Sequence, residues 1–390
     1  MWLRIMRILF IHPHHIDYPG GAEKWVVEVV KKLKNKGHEI GVLYVNYMPH
    51  KKHTSNSYIL KECGAELYTC RYVKLPRGFP IIDLRCLLKH VRDYDIAYVL
   101  AYPPNELLFR MVRRYTNASL IAGFHSSLEP HRVLLHKLYM PLYVNAYRVF
   151  DALHVLSESL HTVFVRFYGI HASKVYLIPN GIDASKYFIK RDDEKFRVLW
   201  TGRLYPEKGA DILYKIILKS NRKYPYLTNE IEFIVTGTGP YERHIHVLSK
   251  LFNNVKYLGY VDEDTLRELY SRSHLYLVPS RSEGMPLRVL EASCSGLPVV
   301  GSRIPGIIDI VKTVGHGHLA RAGDTDGYIV GILEFYRLWK ENPNYYFELR
   351  NKIREIAMAT YDWSNVIRKI EKMFLEVAYR KTRCNGRRHR

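Results

Sequence analysis

Two consecutive doubly wound α/β domains are predicted, from three observations. Short apolar runs alternate with helix-periodic stretches along both halves of the chain. A polar run, Lys190-Arg-Asp-Asp-Glu-Lys195, separates the halves. Within each half, an apolar run ends in a glycine-bearing loop that leads into a helix. Strand–helix–strand alternation is the pattern of a parallel sheet with crossover helices.

The first half opens with Arg7-Ile-Leu-Phe-Ile-His12, read as a buried strand. The loop Pro19-Gly-Gly-Ala22 follows. Glu23 to Lys36 then places Trp25, Val26, Val29, Val30 and Leu33 at helical spacing, and Gly37 suits the stop. Ile40–Val45 is the next strand, and 95–100, 119–124, 152–156 and 174–178 are further strands. No element is assigned within 46–92. After the turn Pro179-Asn-Gly-Ile-Asp183 and the polar run, strands are expected at 196–201, 231–235, 255–259, 275–279 and 297–300. From about Asp326 the chain reads as helical. The expected division is 1–183, 196–360, a helix over 361–379 and a basic tail over 380–390. Doubly wound sheets bind ligands at the carboxyl ends of their strands, so a cleft between two such domains is the expected site.

At 390 residues the chain has room for two or three cores. Its 47% hydrophobic and 25% charged content is ordinary for a soluble globular protein. No apolar run has the length of a membrane span. The N-terminal basic and apolar residues lack a small-residue cleavage site and are broken by Pro13, His14 and His15, which argues for a first strand over a signal peptide. Cys63, Cys70, Cys86, Cys294 and Cys384 are odd in number and have no Cys-x-x-Cys pair. That argues against a disulfide framework and against a zinc site. The histidine clusters His12-Pro-His14-His15 and His316-Gly-His318 are read as structural.

The net charge is +21, with 24 basic and 14 acidic residues in 1–183 and the remaining excess in the second half. Nucleic acid, an anionic membrane and anionic small substrates compete for it. No helix-turn-helix, zinc-finger or RNP pattern supports nucleic acid.

The segment Pro279-Ser-Arg-Ser-Glu-Gly-Met-Pro-Leu-Arg-Val-Leu-Glu-Ala-Ser carries the most chemistry. It reads as strand, tight turn and helix, with Pro286 at the first helical position. Gly284 lets backbone approach a ligand, and the helix terminus offers free N–H groups and partial positive charge to a phosphate. Glu283 in the loop and Glu291 about two turns into the helix suit hydroxyl groups of a sugar or ribose. Arg203 and Lys208, in Thr201-Gly-Arg-Leu-Tyr-Pro-Glu-Lys-Gly209, stand after a strand and before a helix, where two cations can hold a diphosphate. An exposed basic loop is the plainer alternative. Gly20 and Gly21 lead from the first strand into a helix, a second phosphate cradle or simply a flexible loop. Thr236-Gly-Thr-Gly239 lacks the third glycine of a dinucleotide site.

Taken together, these segments resemble the retaining GT-B glycosyltransferases of family four. The Glu-x7-Glu spacing of Glu283 and Glu291, the string Gly202-Arg203 to Lys208-Gly209, Gly20-Gly-Ala-Glu23 and the hinge Pro179–Asp183 carry the resemblance. It implies a GT-B fold, two Rossmann-like domains with the last helix (Tyr361-Asp-Trp-Ser364 onward) returning to the N-terminal domain. It implies transfer of a glycosyl unit from a nucleoside-diphosphate sugar with retention. Arg203 and Lys208 would neutralise the leaving diphosphate, assisted by Gly20, Gly21, Gly202 and the backbone of Gly284, Met285, Pro286 and Leu287. Glu283 would contact the sugar, Glu291 the ribose, and His125, ending the strand 119–124, would line the donor sugar. Pro298 to Gly306 would complete the pocket. Arg288 stands where relatives are commonly apolar, and solvent is its expected neighbour.

No Asp-x-Asp metal motif is read in the chain, and no metal or other cofactor is expected beyond the co-substrate. The alternatives on this architecture are an epimerase or phosphorylase, or a non-catalytic nucleotide-sugar-binding subunit. The acceptor is expected on the N-terminal domain. There 131–148 alternates basic residues with leucines and tyrosines, suiting either a core helix or an anionic membrane surface. A cytoplasmic enzyme acting on a saccharide or lipid-linked acceptor, with peripheral membrane contact, is the resulting expectation.

Overall fold

The computed structural model describes residues 5–48, 54–74, 80–101, 104–125, 144–191 and 194–386. The chain forms two compact units, Met1–Asn180 with Val366–Arg390, and Gly181–Asn365.

The first unit is built on a parallel sheet. Its strands are β1 (Arg7–His12), β2 (Glu39–Val45), β3 (Glu66–Cys70), β6 (Ile96–Leu100), β7 (Ser119–Phe124), β8 (Ala152–Val155) and β9 (Val175–Leu177). They lie in the order β3-β2-β1-β6-β7-β8-β9, with β4 (Tyr72–Lys74) and β5 (Pro80–Ile82) pairing antiparallel beside it. β6, β7 and all of β1 after Arg7 are buried, as strands of a parallel sheet covered on both faces are. The helix Gly21–Lys34 buries Trp25, Val26, Val29, Val30 and Leu33 on one stripe, as the 3.6-residue period requires.

The last helix, Trp363–Gly386, contributes Val366, Ile370, Met373, Phe374 and Val377 to this unit's interior. Each such side chain stabilises the fold by about 1.5–3 kcal/mol through burial. Phe374 lies 6.4 Å from Phe10 and 5.9 Å from Tyr98, ring centre to ring centre. Glu371 fixes the helix register, accepting from Lys36 Nζ at 2.7 Å and lying 3.2 Å from His38 Nε2. Removal of either side chain would leave a nearly buried carboxylate short of a partner.

The second unit repeats the architecture with β10 (Phe196–Thr201), β11 (Ile231–Thr236), β12 (Val255–Tyr257), β13 (Leu275–Val278), β14 (Val299–Ser302) and β15 (Gly317–Ala320). All pair parallel, in the order β12-β11-β10-β13-β14-β15. The core is Phe196, Val198, Trp200, Ile212, Leu213, Ile216, Phe233, Leu275 and their neighbours. In each sheet the winding reverses beside the first strand, between β1 and β6 and between β10 and β13. Loops diverge at such a reversal and leave a crevice at the strands' carboxyl ends.

Several expectations are corrected. The unassigned stretch 46–92 contains the helix Asn56–Glu62, β3, the β4–β5 pair and the helix Leu84–Val91. β15 passes unnoticed in the sequence because it is short and partly exposed on the sheet edge. Its His318 sits beside Glu334, 2.8 Å away. Cys70 and Cys86 form a disulfide, against the reading from cysteine count and spacing. Asp83 caps the helix Leu84–Val91 by accepting from the Cys86 N–H, and the two Cα atoms lie 5.9 Å apart, inside the range a disulfide spans. Of the stretch 131–148, residues 131–143 lie outside the described residues.

Candidate active site

At the reversal in the second sheet, the loop after β10 meets the loop after β13. Gly209 makes this possible. Its φ is +72°, and a Cβ there would lie 2.0 Å from the carbonyl oxygen of Pro279. Any side chain would therefore lift the Lys208 turn off the end of β13. Seated as it is, Lys208 Nζ reaches both carboxylate oxygens of Glu283 at 2.8 Å. Ser280 Oγ donates to the same carboxylate at 2.8 Å. Arg281, next in the loop, grips Asp211 through two contacts of 2.6 Å. Arg203 is different: 60% exposed, it lies 3.6 Å from Glu207 and over the Tyr205 ring.

Pro286 is the N-cap and not the first helical residue; its ψ of 117° is extended, and the helix runs Leu287–Cys294. Glu291 is accordingly about one turn into the helix, where two turns were expected. No side chain caps this helix, nor the helix Gly21–Lys34 that follows Gly20. First-turn N–H groups of the helix Leu287–Cys294 retain the capacity to bind an anion, whereas at the start of the helix Gly21–Lys34 the Glu23 carboxylate accepts from its own backbone N–H. Gly306 closes the far side of the Glu283–Gly284 loop, since a Cβ there would lie 2.2 Å from the Gly284 carbonyl oxygen. Met285 is buried beneath the turn, while Gly202, Gly284, Pro286 and Leu287 remain partly exposed.

Glu291 belongs to a buried polar chain. Tyr270 donates to it at 3.2 Å, and Tyr270 and Tyr276 both bond Thr201 Oγ1. Arg288 does not face solvent as expected. It lies 2.8 Å from Glu291 and 3.2 Å from Glu263, bridging two acidic groups of the protein itself. Burial raises the Glu291 carboxyl above its ordinary range, and Arg288 opposes the rise. Glu263 and Tyr270 escaped the sequence reading because their link to Glu291 spans more than twenty residues.

In the first unit, Gly20 precedes the helix Gly21–Lys34, and a Cβ on it would strike the Glu23 carboxylate at 2.1 Å. A Cβ on Gly21 would meet no protein atom within 4 Å. Glu23 Oε1 lies 3.4 Å from His12 Nε2, and His12 Nδ1 lies 3.1–3.2 Å from the His14 backbone. Burial drives Glu23 up to about 7 and His12 down to about 3, so near neutrality the imidazole is uncharged and the carboxyl is only partly ionised. His125 ends β7, partly exposed, with its ring 4.2 Å from that of Trp25. Burial, with His154 and His12 nearby, keeps His125 far below its ordinary value and hence uncharged at neutral pH.

His12, His14 and Glu23 are the one group of described residues able to converge on a cation, their ligand atoms lying within 4.8 Å of one another. Hydrogen bonding already accounts for His12 and Glu23. Asp-x-Asp pairs do occur, at 93–95, 262–264 and 324–326. There Asp95 accepts from the Arg7 N–H, and Asp262 and Asp324 cap helices.

The predicted residues thus fall into two groups. Lys208, Glu283, Gly284 and Glu291 gather at the reversal of the second sheet, with Arg203 on the same loop. Gly20, Gly21 and His125 lie at strand ends of the first. Comparison with known proteins gives two family matches along the chain. Residues 195–337 match the family described as Glycosyl transferases group 1, and residues 19–186 match Glycosyltransferase Family 4. The phosphatidyl-myo-inositol mannosyltransferase of Mycolicibacterium smegmatis is 23% identical over 96% of this chain and 94% of that protein. An Escherichia coli UDP-Gal:alpha-D-GlcNAc-diphosphoundecaprenol alpha-1,3-galactosyltransferase is 26% identical over 68% of this chain and 72% of its own. Among solved structures, Anabaena HepE in complex with UDP superposes with a TM-score of 0.75 at 18% identity, over 95% of this chain and 100% of that one.

Proposed function

From the premise that this chain is a group 1 glycosyltransferase of GT-B fold, moving a sugar from an activated donor, we propose that the donor is a nucleoside-diphosphate sugar. Transfer proceeds with retention and without a metal. The observation that carries this reading is the seating of Lys208 against Glu283 at the sheet reversal, beside an uncapped helix terminus. A cation, helix-terminal N–H groups and a carboxylate at one point suit a sugar diphosphate. Lys208, Arg203 and the N–H groups following Gly284 and Gly20 take the phosphates. Glu283 and His125 take sugar hydroxyls, and Glu291 takes the ribose. As the bond to the sugar breaks, negative charge grows on the diphosphate, where fixed cations and N–H groups stabilise the transition state more than the ground state. Metal-free neutralisation is consistent with the cations already present. HepE has been crystallised with UDP and with UDP-glucose, which supports a uridine donor here.

A panel of UDP, GDP, ADP and dTDP tests the donor assignment, because a ligand of the folded state raises its melting temperature. One nucleotide is expected to raise it clearly. Glu291→Ala is expected to weaken that nucleotide about tenfold, as the loss of hydrogen bonds to a charged group would. Unchanged affinity would remove Glu291 from the ribose.

The acceptor is lipid-linked, met by the protein at an anionic membrane surface on the cytoplasmic side. Two relatives bear names of enzymes acting on a phosphatidylinositol and on a diphosphoundecaprenol. This chain carries +21, and exposes Phe167 next to Arg166, and Met111 and Tyr115 among Arg110, Arg113 and Arg114. None of the described helices is long and apolar enough to cross a membrane. Each basic residue near an anionic surface contributes about 1 kcal/mol. The protein should therefore sediment with anionic vesicles at low salt, and remain in the supernatant at high salt or with neutral vesicles. Failure to sediment with anionic vesicles at low salt would refute the membrane contact and leave the transfer reaction untouched.

A further inference from the structure

His125 rests on a hydrogen-bond chain whose direction can be derived. The Tyr98 hydroxyl lies 2.9 Å from His125 Nε2 and 2.6 Å from His154 Nδ1. His154 Nε2 lies 2.8 Å from the carbonyl oxygen of Ile178. A carbonyl oxygen can only accept, so His154 Nε2 carries a hydrogen and donates it. Complete burial pushes His154 down to about 4, leaving the ring neutral with a single N–H. Its Nδ1 is therefore bare and must accept, and the Tyr98 hydroxyl is the donor. A phenol has one hydrogen. Toward His125 the same oxygen can only accept, so His125 Nε2 must donate. His125 is also neutral, and its one hydrogen is now placed. Its Nδ1 is a bare acceptor.

The scaffold keeps these groups in place. Tyr98, His125 and His154 come from the adjacent strands β6, β7 and β8. Gly123 shares a face with His125, two residues on, and pairs with His154. A Cβ on Gly123 would lie 1.9 Å from the Tyr98 hydroxyl oxygen, so only glycine leaves the phenol its path. The Tyr98 ring is held by Phe10, Trp25 and Phe374 at 5.3–5.9 Å. Burial raises Tyr98 well above its ordinary value, so the hydroxyl keeps its hydrogen at any working pH.

We propose that Tyr98 and His154 are positioning residues: the chain running back to the Ile178 carbonyl locks His125 in the Nε2–H form, presenting Nδ1 as an acceptor for a hydroxyl of the donor sugar. The proposal rests on the reading that His125 lines the donor site. It excludes His125 as a hydrogen donor to the sugar or to the departing phosphate. It selects donor sugars that place a hydroxyl, and not a bare acceptor such as a carboxylate, against this ring.

Imidazole nitrogen NMR on the intact protein reads the tautomer directly. The expected spectrum has a protonated Nε2 and an unprotonated Nδ1 on His125, unchanged between pH 6 and 8. Tyr98→Phe keeps the ring in its slot and removes the hydroxyl, and His125 should then populate both tautomers. With the donor identified by the nucleotide panel, kcat should fall about tenfold in Tyr98→Phe, the worth of one oriented hydrogen bond to a reacting group. In a His125→Ala background, Tyr98→Phe should cost nothing further, because the two act as one unit. A proton on Nδ1 in the parent protein, or an unchanged tautomer in Tyr98→Phe, would overturn the proposal. Normal kinetics in His125→Ala, with the tautomer pattern as expected, would instead overturn the placing of His125 in the donor site.

Discussion

Lys208→Ala lowers kcat by about a hundredfold or more, while the second unit stays folded: this is the first expected result. The lysine is the better placed of the two predicted cations. It reaches both oxygens of Glu283 at 2.8 Å and is 29% exposed, whereas Arg203 is 60% exposed beside Glu207. Removing one fixed charge-stabilising group from an active site costs about 10²–10³ in rate. The same substitution strips Glu283 of its cation, so part of the loss comes from a carboxylate that no longer holds its place. Glu283→Gln separates the contributions: it frees Lys208 for phosphate and damages only the sugar contact. Lys208→Arg keeps the positive charge, and its fork can meet both oxygens of Glu283, so it should retain more activity than Lys208→Ala. Arg203→Ala should also slow turnover, with less effect on the resting site. Near-normal kinetics in both alanine variants would remove the diphosphate assignment. Steady-state rates beside a circular-dichroism melt decide the matter.

The second large effect is acid sensitivity of the first unit. His154 is held down to about 4 by burial, against 6.5 when unfolded. Between these values the unfolded chain binds a proton that the folded one does not, so stability falls as pH falls from 6.5 toward 4 and is regained on raising it. One such histidine costs about 3 kcal/mol across that window. His125 acts in the same direction. The His12–Glu23 pair acts differently. Glu23, raised to about 7, binds a proton in the folded state first and stabilises as pH falls from 7 to about 4.5, offsetting His12. Hydrogen exchange at pH 7 and pH 5 should show loss of protection in β6, β7 and β8, shallower in a His154→Gln variant. Equal protection at both values would mean that the buried rings take up protons without cost.

Much of this was legible in the chain. The strands β1, β2, β7 and β10 are long apolar runs bounded by turns, and periodicity finds them. The loops bearing Lys208 and Glu283 are legible because glycine and charge stand together after a strand. What escaped is of two kinds. β3, β15 and the β4–β5 pair are short and partly exposed, so they lack an apolar signature. The Arg288–Glu263 pair, the Cys70–Cys86 bond and the Tyr98–His125–His154 chain join residues separated along the chain that only the folded structure brings together. Apart from His125, each of these residues, taken singly along the sequence, looks like an ordinary core or surface residue.

The last helix has a consequence for synthesis. Phe374 packs on Phe10 and Tyr98, and Glu371 holds Lys36 and His38, so the first unit is closed by residues made more than 180 positions after its last sheet strand, β9. A nascent chain folds domain by domain as it emerges. Here the second unit, continuous from Gly181 to Asn365, has all its residues outside the ribosome before the first is complete. Until then the face of β1 and β6 that Phe374 will cover stays open, and Tyr98 lacks one wall. The order of assembly therefore runs against the order of translation: the half that holds His125 is begun first and finished last.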